Sequence, residues 1–263
     1  MKIIIRNSSL TFQTSSSTAR DILSHFSGTF AEEQKAAFGT FVGTLESAGL
    51  LGKITHMFLP ILSSNTTECV WDAKTSTQFD TTEQLVCSNN ELYTVEGVSG
   101  VKSQVTIPEA KGNYEAHIGY RLSSRTNTTR PVLFKGSLSL QPLFQNSLLT
   151  YYGPGNKFIT VTNCESYNTN PHTITTRLNE MSGQAVTNEN LKVIFDGTNG
   201  TLSITDNAVY PSTLVGFSFA NCEQYAHCQN VRYRVIIITQ PLTDAEALTI
   251  NTAISTLMAA FFA

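Results

Sequence analysis

The stretch Val231-Arg232-Tyr233-Arg234-Val235-Ile236-Ile237-Ile238-Thr239, running straight into Gln240-Pro241-Leu242-Thr243-Asp244-Ala245-Glu246, decides the fold. Its first half alternates apolar with charged residues and its second half is wholly apolar, so it reads as a strand central to a sheet. Thr243 then caps a helix whose first turn holds Asp244 and Glu246, acids that suit the positive end of a helix. Leu248, Ala253, Ile254 and Leu257 continue the apolar side of that helix.

Towards the N-terminus, Phe38, Phe41, Val42 and Leu45 fall at i, i+3, i+4 and i+7. Thr29 and Glu32 have the spacing of a capping box and Gly49 stands where a C′ glycine belongs, which predicts a helix over 31–48. Its apolar stripe is one face wide, so the helix is expected to lie on a sheet. Lys53 to Leu62 follows as a buried strand. Short alternating runs separated by turn residues then predict strands near 84–87, 103–107, 114–122, 131–135, 148–152, 157–162, 172–178, 191–195, 201–205 and 214–219. Asp196-Gly197-Thr198-Asn199-Gly200 reads as a tight hairpin with glycines available for positive φ. Strands this numerous close into a sandwich or barrel.

Composition agrees. Charged residues are only 14% of the 263, whereas 35 Thr, 25 Ser and 19 Asn make up roughly three residues in ten. The surface is therefore wetted by hydroxyls and amides, and Thr favours strands while Ser and Asn favour turns. A net charge of −3 gives no basic field for a polyanion, so nucleic acid is not an expected partner. No apolar run approaches the roughly 20 residues of a membrane span, and Met1 to Arg6 is too short for a secretion signal. Membrane insertion is not expected, and the chain is read as made in a cytoplasm.

Residues 1–28 carry Ile3-Ile4-Ile5 and Leu10-Thr11-Phe12 around a Ser/Thr run, too little apolar surface for a domain. They are read as an N-terminal arm, with Ile3, Ile4, Ile5, Leu10 and Phe12 as candidate docking residues. A disordered leader or an edge strand of the main sheet accounts for the same pattern. Residues 29–263 are read as one domain. Of five cysteines, Cys69, Cys87 and Cys164 are read as free buried thiols, and Cys222 and Cys228 are close enough for a local bridge.

An amphipathic helix followed at once by a buried strand, a run of hairpins, and an apolar strand ending in Leu242-Thr243-Asp244-Ala245-Glu246 resemble concanavalin A-like and laminin G-like jelly rolls. The leading helix and the start Met1-Lys2-Ile3-Ile4-Ile5-Arg6-Asn7-Ser8-Ser9 resemble virion proteins of tailed, crAss-like bacteriophages. The resemblance covers the two ends of the chain, and its middle only through strand spacing. It implies a mainly β, concanavalin A-like jelly-roll sandwich of two antiparallel sheets with an N-terminal and a C-terminal helix. It also implies a head- or tail-fibre or capsid-decoration component, held to other virion proteins by the arm and forming a homo-oligomer such as a trimer. Its location would be the virion, assembled in the host cytoplasm.

Chemistry is sparse in the sequence. Retaining glycosidases of that fold carry a closely spaced E-x-D-x-E cluster on one strand, and none is present. Glu32-Glu33 and Asp244 with Glu246 sit at helix starts, where the macrodipole explains them. The five histidines have no zinc spacing, no G-x-S-x-G accompanies them, and no phosphate-cradling loop or Asp-rich calcium loop is present. No catalytic, cofactor or metal residue is assigned, and a non-enzymatic chain without cofactor is expected. A host-surface glycan is the ligand this fold implies. Tyr114, Tyr120, Tyr151 and Tyr152, near Asn113, Asn156 and Asn168, supply the residue types of a sugar platform, although strand tyrosines serve packing as readily. The alternatives are a lectin-like adhesin and a glycan-cleaving enzyme of the same fold.

Overall fold

The computed structural model describes residues 16–80, 85–94, 105–107, 114–123, 134–135, 141–145, 148–153, 157–162, 169–178, 187, 191–204, 217–219 and 231–262. Its helices are α1 (Ser17–Leu23), α2 (Glu32–Ser47), α3 (Thr66–Cys69) and α4 (Asp244–Phe261). The strands are β1 (Ile54–Phe58), β2 (Trp71–Asp72), β3 (Thr77–Gln78), β4 (Leu85–Ser88), β5 (Glu91–Thr94), β6 (Val105–Ile107), β7 (Tyr114–Leu122), β8 (Phe134–Lys135) and β9 (Gln141–Gln145). They continue as β10 (Leu148–Gly153), β11 (Lys157–Thr162), β12 (His172–Leu178), β13 (Leu191–Phe195), β14 (Thr198–Asn199), β15 (Thr201–Ile204), β16 (Phe217–Phe219) and β17 (Val231–Thr239).

The large sheet runs β14-β13-β12-β7-β17-β1-β2-β3, with β5 also joined to β17 and β4 to β5. Two smaller sheets, β15-β11-β10-β9 and β6-β16-β8, complete the β structure of the described residues. β17 is central as expected, pairing Ile236, Ile237 and Ile238 with Ile118, His117 and Ala116 of β7 on one side and with Phe58, Met57 and His56 of β1 on the other. Its alternate residues enter two different cores, which explains the unbroken apolar run. Ile236 and Ile238 join Ile118, Tyr120, Phe58, Ile107, Val161 and Phe219 in the sandwich core, where residues of the smaller sheets meet the large one. Val235 and Ile237 face the helices. The protein is a mainly β antiparallel sandwich with a helix at each end packed on the outer face of the large sheet.

Phe38, Phe41, Val42 and Leu45 of α2 are buried together with Ile250, Ile254, Leu257 and Met258 of α4 in that helix-side core. Four fully buried side chains of this kind each contribute about 1.5–3 kcal/mol relative to exposure. α4 lies so close to β7 that a Cβ placed on Gly119 would meet Met258 Sδ at 2.7 Å and Ile254 Cγ2 at 2.8 Å. The Thr243 capping box is formed: Glu246 N–H donates to Thr243 Oγ1 at 3.3 Å, and Thr243 N–H donates to Glu246 Oε2 at 2.9 Å. Lys53 Nζ also reaches Glu246, at 2.7 Å, tying the start of α4 to the residue before β1.

Several local expectations are corrected. α2 starts at Glu32 with Ala31 as its N-cap, and Gln34 Oε1 accepts the Ala31 N–H, so Thr29 does not cap it. The buried strand stops at Phe58 and Pro60–Leu62 forms a 3₁₀ turn, since Pro60 has no N–H to continue the ladder. Within the segment read as an arm, residues 17–23 are a helix capped by Ser16, and Ala19, Ile22 and Phe26 are buried in the helix-side core. Leu248 is 41% exposed because the buried side of α4 runs through Ala247, Ile250 and Asn251 instead. Cys69 and Cys87 are not free thiols; α3 and β4 bring their Cα atoms to 6.4 Å and they form a disulfide. Cys164, Cys222 and Cys228 lie outside the described residues. The tight turn is two residues long: Asp196 and Gly197 take φ of 46° and 79° between β13 and β14, and the chain then leaves for the four-stranded sheet as β15.

Candidate functional site

Polar groups gather where β12, β13 and the start of α4 meet. Glu115 of β7 points to the helix side, and its Oε1 accepts from Arg177 Nε at 3.0 Å and from the Leu242 N–H at 2.7 Å. Arg177 also donates to Asp244 and to the Leu242 carbonyl, and Lys192 Nζ reaches Asp244 at 3.1 Å. Burial pushes the Glu115 carboxyl above its ordinary value, against the pull of the Leu242 N–H and Arg177. Bonds from Arg177 and then Lys192 hold Asp244 below its ordinary value. Two carboxylates with pKa values pushed apart thus flank one guanidinium. Arg177, Lys192, Asn199, Thr201 and Asp244 line a pocket of about 280 Å³, whose apolar wall includes Leu191 and Val193. It offers cationic, anionic, amide and hydroxyl groups in a space sized for a single small ring.

Behind this pocket the network is closed and structural. His117 is fully buried, with Nδ1 3.0 Å from Thr175 Oγ1 and Nε2 3.2 Å from Thr239 Oγ1. Burial, and then the Arg177 cation, lower its pKa to about 3, so it is neutral. Asn251 of α4 donates to Thr175 Oγ1 at 3.0 Å and accepts from the Gly197 N–H at 2.8 Å. His172 Nδ1 lies 2.7 Å from Asp196 Oδ2, and Asp196 Oδ1 accepts from the Thr173 N–H. These histidines are satisfied members of the frame. Among the described residues no group of three His, Cys, Asp or Glu is placed to hold a metal ion.

A groove of about 660 Å³ runs between α2 and α4, lined by Phe41, Thr40, Thr44, Leu248, Thr252 and Thr256 among others. No helix of the described residues is long and apolar enough to cross a membrane.

Of the tyrosines picked out from the sequence, Tyr114 and Tyr120 are 4% and 0% exposed in the sandwich core, so they face inward and offer no open platform. Tyr151 and Tyr152 lie on β10, opposite Ile159 and Phe158 of β11 and Pro142 and Gln141 of β9. Ile3, Ile4, Ile5, Leu10 and Phe12 lie outside the described residues. Sequence reading missed Arg177 and Lys192, which are 15 positions apart and 67 and 52 from Asp244. Their signal was charge within strands that otherwise read as apolar and threonine-rich.

No protein-family model matches the chain, and no curated protein does. Among solved structures it is similar to a sialidase of Trypanosoma rangeli, with a TM-score of 0.56 and 10% identity, over 85% of this chain and 39% of that one. It is also similar to the botulinum neurotoxin serotype D binding domain, with a TM-score of 0.51 and 12% identity, over 77% of this chain and 51% of that one. The chain spans about two fifths to one half of the length of these proteins. Identities this low show a shared β-sandwich and carry no link to a phage particle. They do overturn the expectation of a chain without enzymatic activity, because the same architecture occurs in a sialidase. The missing strand-borne acid cluster belongs to one class of glycosidase and does not exclude catalysis.

Proposed function

We propose that the chain is a carbohydrate-binding β-sandwich, and that it serves on the surface of a phage particle for attachment to host glycans. The observation that carries the glycan reading is the pocket of about 280 Å³, in which Arg177, Lys192, Asn199, Thr201 and Asp244 surround a space for one sugar ring on a rigid sheet edge. The particle role rests on the resemblance of the leading helix and of the start Met1 to Ser9 to virion proteins, and with it goes attachment to other virion proteins through the N-terminal arm read over residues 1–28, as a homo-oligomer.

A glycan array with the full chain tests the first part. Binding that falls about tenfold in Lys192→Ala and Asn199→Ala, residues at the open rim, supports the pocket; charge-assisted bonds of this kind contribute roughly 1.5–3 kcal/mol. Array-wide silence refutes the glycan reading. Mass spectrometry of purified particles tests the second part, and absence of the chain from them refutes it. Turnover of bound glycan is a second reading, favoured by the separated pKa directions of Glu115 and Asp244 across Arg177. Release of a sugar that disappears in Glu115→Gln supports it.

A further inference from the structure

The groove between α2 and α4 is apolar although threonines make up much of its lining. Thr40 Oγ1 donates to the Ala36 carbonyl at 3.0 Å, Thr44 to Thr40 at 2.9 Å, Thr249 to Ala245 at 2.8 Å and Thr256 to Thr252 at 3.0 Å. With its hydroxyl turned back onto the i−4 carbonyl, a threonine offers the space beside it chiefly a methyl group. Ala37, Phe41 and Leu248 complete the wall, and at about 660 Å³ the groove has more than twice the volume of the pocket beside Asp244. Leu248 is the one large apolar side chain among the described residues that is exposed. Uncovered apolar surface gathered in one groove marks a place where something docks.

The same chain holds a matching segment. Residues 1–15, outside the described residues, carry Ile3-Ile4-Ile5 and Leu10-Thr11-Phe12. They run into Ser16, the N-cap of α1, and α1 packs on α2, with Ala19 and Ile22 buried beside Phe38, Phe41 and Val42. Their attachment point is therefore fixed against a wall of the groove. Fifteen extended residues reach at most about 50 Å, whereas the groove, from Ala245 to Leu257, follows roughly 18 Å of α4. Asn7-Ser8-Ser9 between the two apolar runs are turn-favouring residues, so the runs need not lie end to end. Charge fits as well. Glu33 is exposed one turn before Ala37 on the same row of α2, and residues 1–15 contain Lys2 and Arg6 and no acid. A short tether gives such a segment an effective concentration on the order of millimolar at its own groove, which an untethered competitor does not match.

We propose that the two apolar runs of residues 3–12 dock in the α2–α4 groove of their own chain. The isoleucines, Leu10 and Phe12 leave water there and cover Leu248 and the threonine methyls, so that two apolar surfaces are removed by one contact. Neither the glycan pocket nor a place in a particle is needed for this seat. Attachment through the arm draws on the same residues, and a partner has to lift them out of the groove.

Arg6 directly follows Ile5 and is a trypsin site, so it reports the seat in the full chain. Cleavage after Arg6, followed by intact mass, is expected to be at least tenfold faster in Leu248→Asp and in Ile4→Asp than in the native chain. The first variant puts a charge in the groove and the second puts one in the segment while leaving every described residue unchanged; circular dichroism checks that both remain folded. Benzoylphenylalanine in place of Phe12, irradiated in dilute full-length protein, is expected to join peptides of α2 and α4 within a single chain. Equal cleavage rates in the native chain and both variants, or cross-links confined to another surface of the chain, overturn the proposal. Cross-links between chains, with protection of Arg6 that grows with protein concentration, overturn it in favour of a second copy as the occupant. Glycan-array binding and the presence of the chain in particles are read separately, so failure of this seat leaves both readings standing.

Discussion

Gly119→Ala tests how α4 is seated. The added methyl would stand 2.7 Å from Met258 Sδ and 2.8 Å from Ile254 Cγ2, inside the distance that real Cβ atoms tolerate. Met258 is unbranched and swings away at small cost, whereas the β-branched Ile254 is held in one rotamer by its own helix. Relief therefore requires α4 to lift from β7 by several tenths of an ångström, loosening Ile250, Leu257 and Val235 around it. Overpacking of this size costs about 1–3 kcal/mol. For a chain of this length that lowers Tm by roughly 2–4 °C per kcal/mol, read by circular dichroism and checked by urea titration. Met258→Ala clears one of the two clashing atoms, so the double variant is more stable than the sum of the single effects by about 0.5–3 kcal/mol. A neutral Gly119→Ala, or strictly additive single effects, refutes the contact between α4 and β7.

Reduction of Cys69–Cys87, which closes a span of 18 residues, is expected to cost about 3 kcal/mol; an unchanged melt in reductant, with thiols counted by alkylation, contradicts the bridge. His117 refuses a proton until about pH 3, while an unfolded histidine takes one near 6.5. Stability is therefore unaffected above that value and falls by roughly 1.4 kcal/mol per pH unit between about pH 6 and 4, a slope that His117→Gln removes in urea titrations and whose persistence in the variant assigns it elsewhere. Phe41→Ala, in the core between α2 and α4, costs about 3–5 kcal/mol by the same measurement, and a loss under 1 kcal/mol places the ring outside the core.

The fold was legible where local signals were redundant. β17 announces itself by an apolar run that only a doubly covered strand needs, and Thr243 with Glu246 by the spacing of two reciprocal hydrogen bonds. α1 was obscured because Ser15, Ser16 and Ser17 read as turn or linker chemistry, while what fixes the helix is the burial of Ala19, Ile22 and Phe26 against α2. Tyr114 and Tyr120 were misplaced because alternation assigns residues to two faces without saying which face another layer will cover. Charged groups from distant strands were out of reach: Glu91, which accepts from Arg121 and Arg234, lies 30 positions from the first and 143 from the second, and only register across β5, β17 and β7 brings them together. Arg234, a charge at the entry to an isoleucine run, was the trace they left.

The margins of the sheets bear on assembly. The large sheet ends at one side in β14 and at the other in β3, each two residues long, and β9 at the end of the four-stranded sheet carries Pro142. Two-residue margins offer too few unpaired N–H and C=O groups to template a strand from a neighbouring molecule, and a proline removes a donor from the third. Copies brought side by side at high local density would thus resist zipping into cross-β ribbons through these three margins. The same bluntness makes β14 and β3 poor places for main-chain pairing between subunits, and leaves β4 and β15, four residues each, as the longer margins among the described residues.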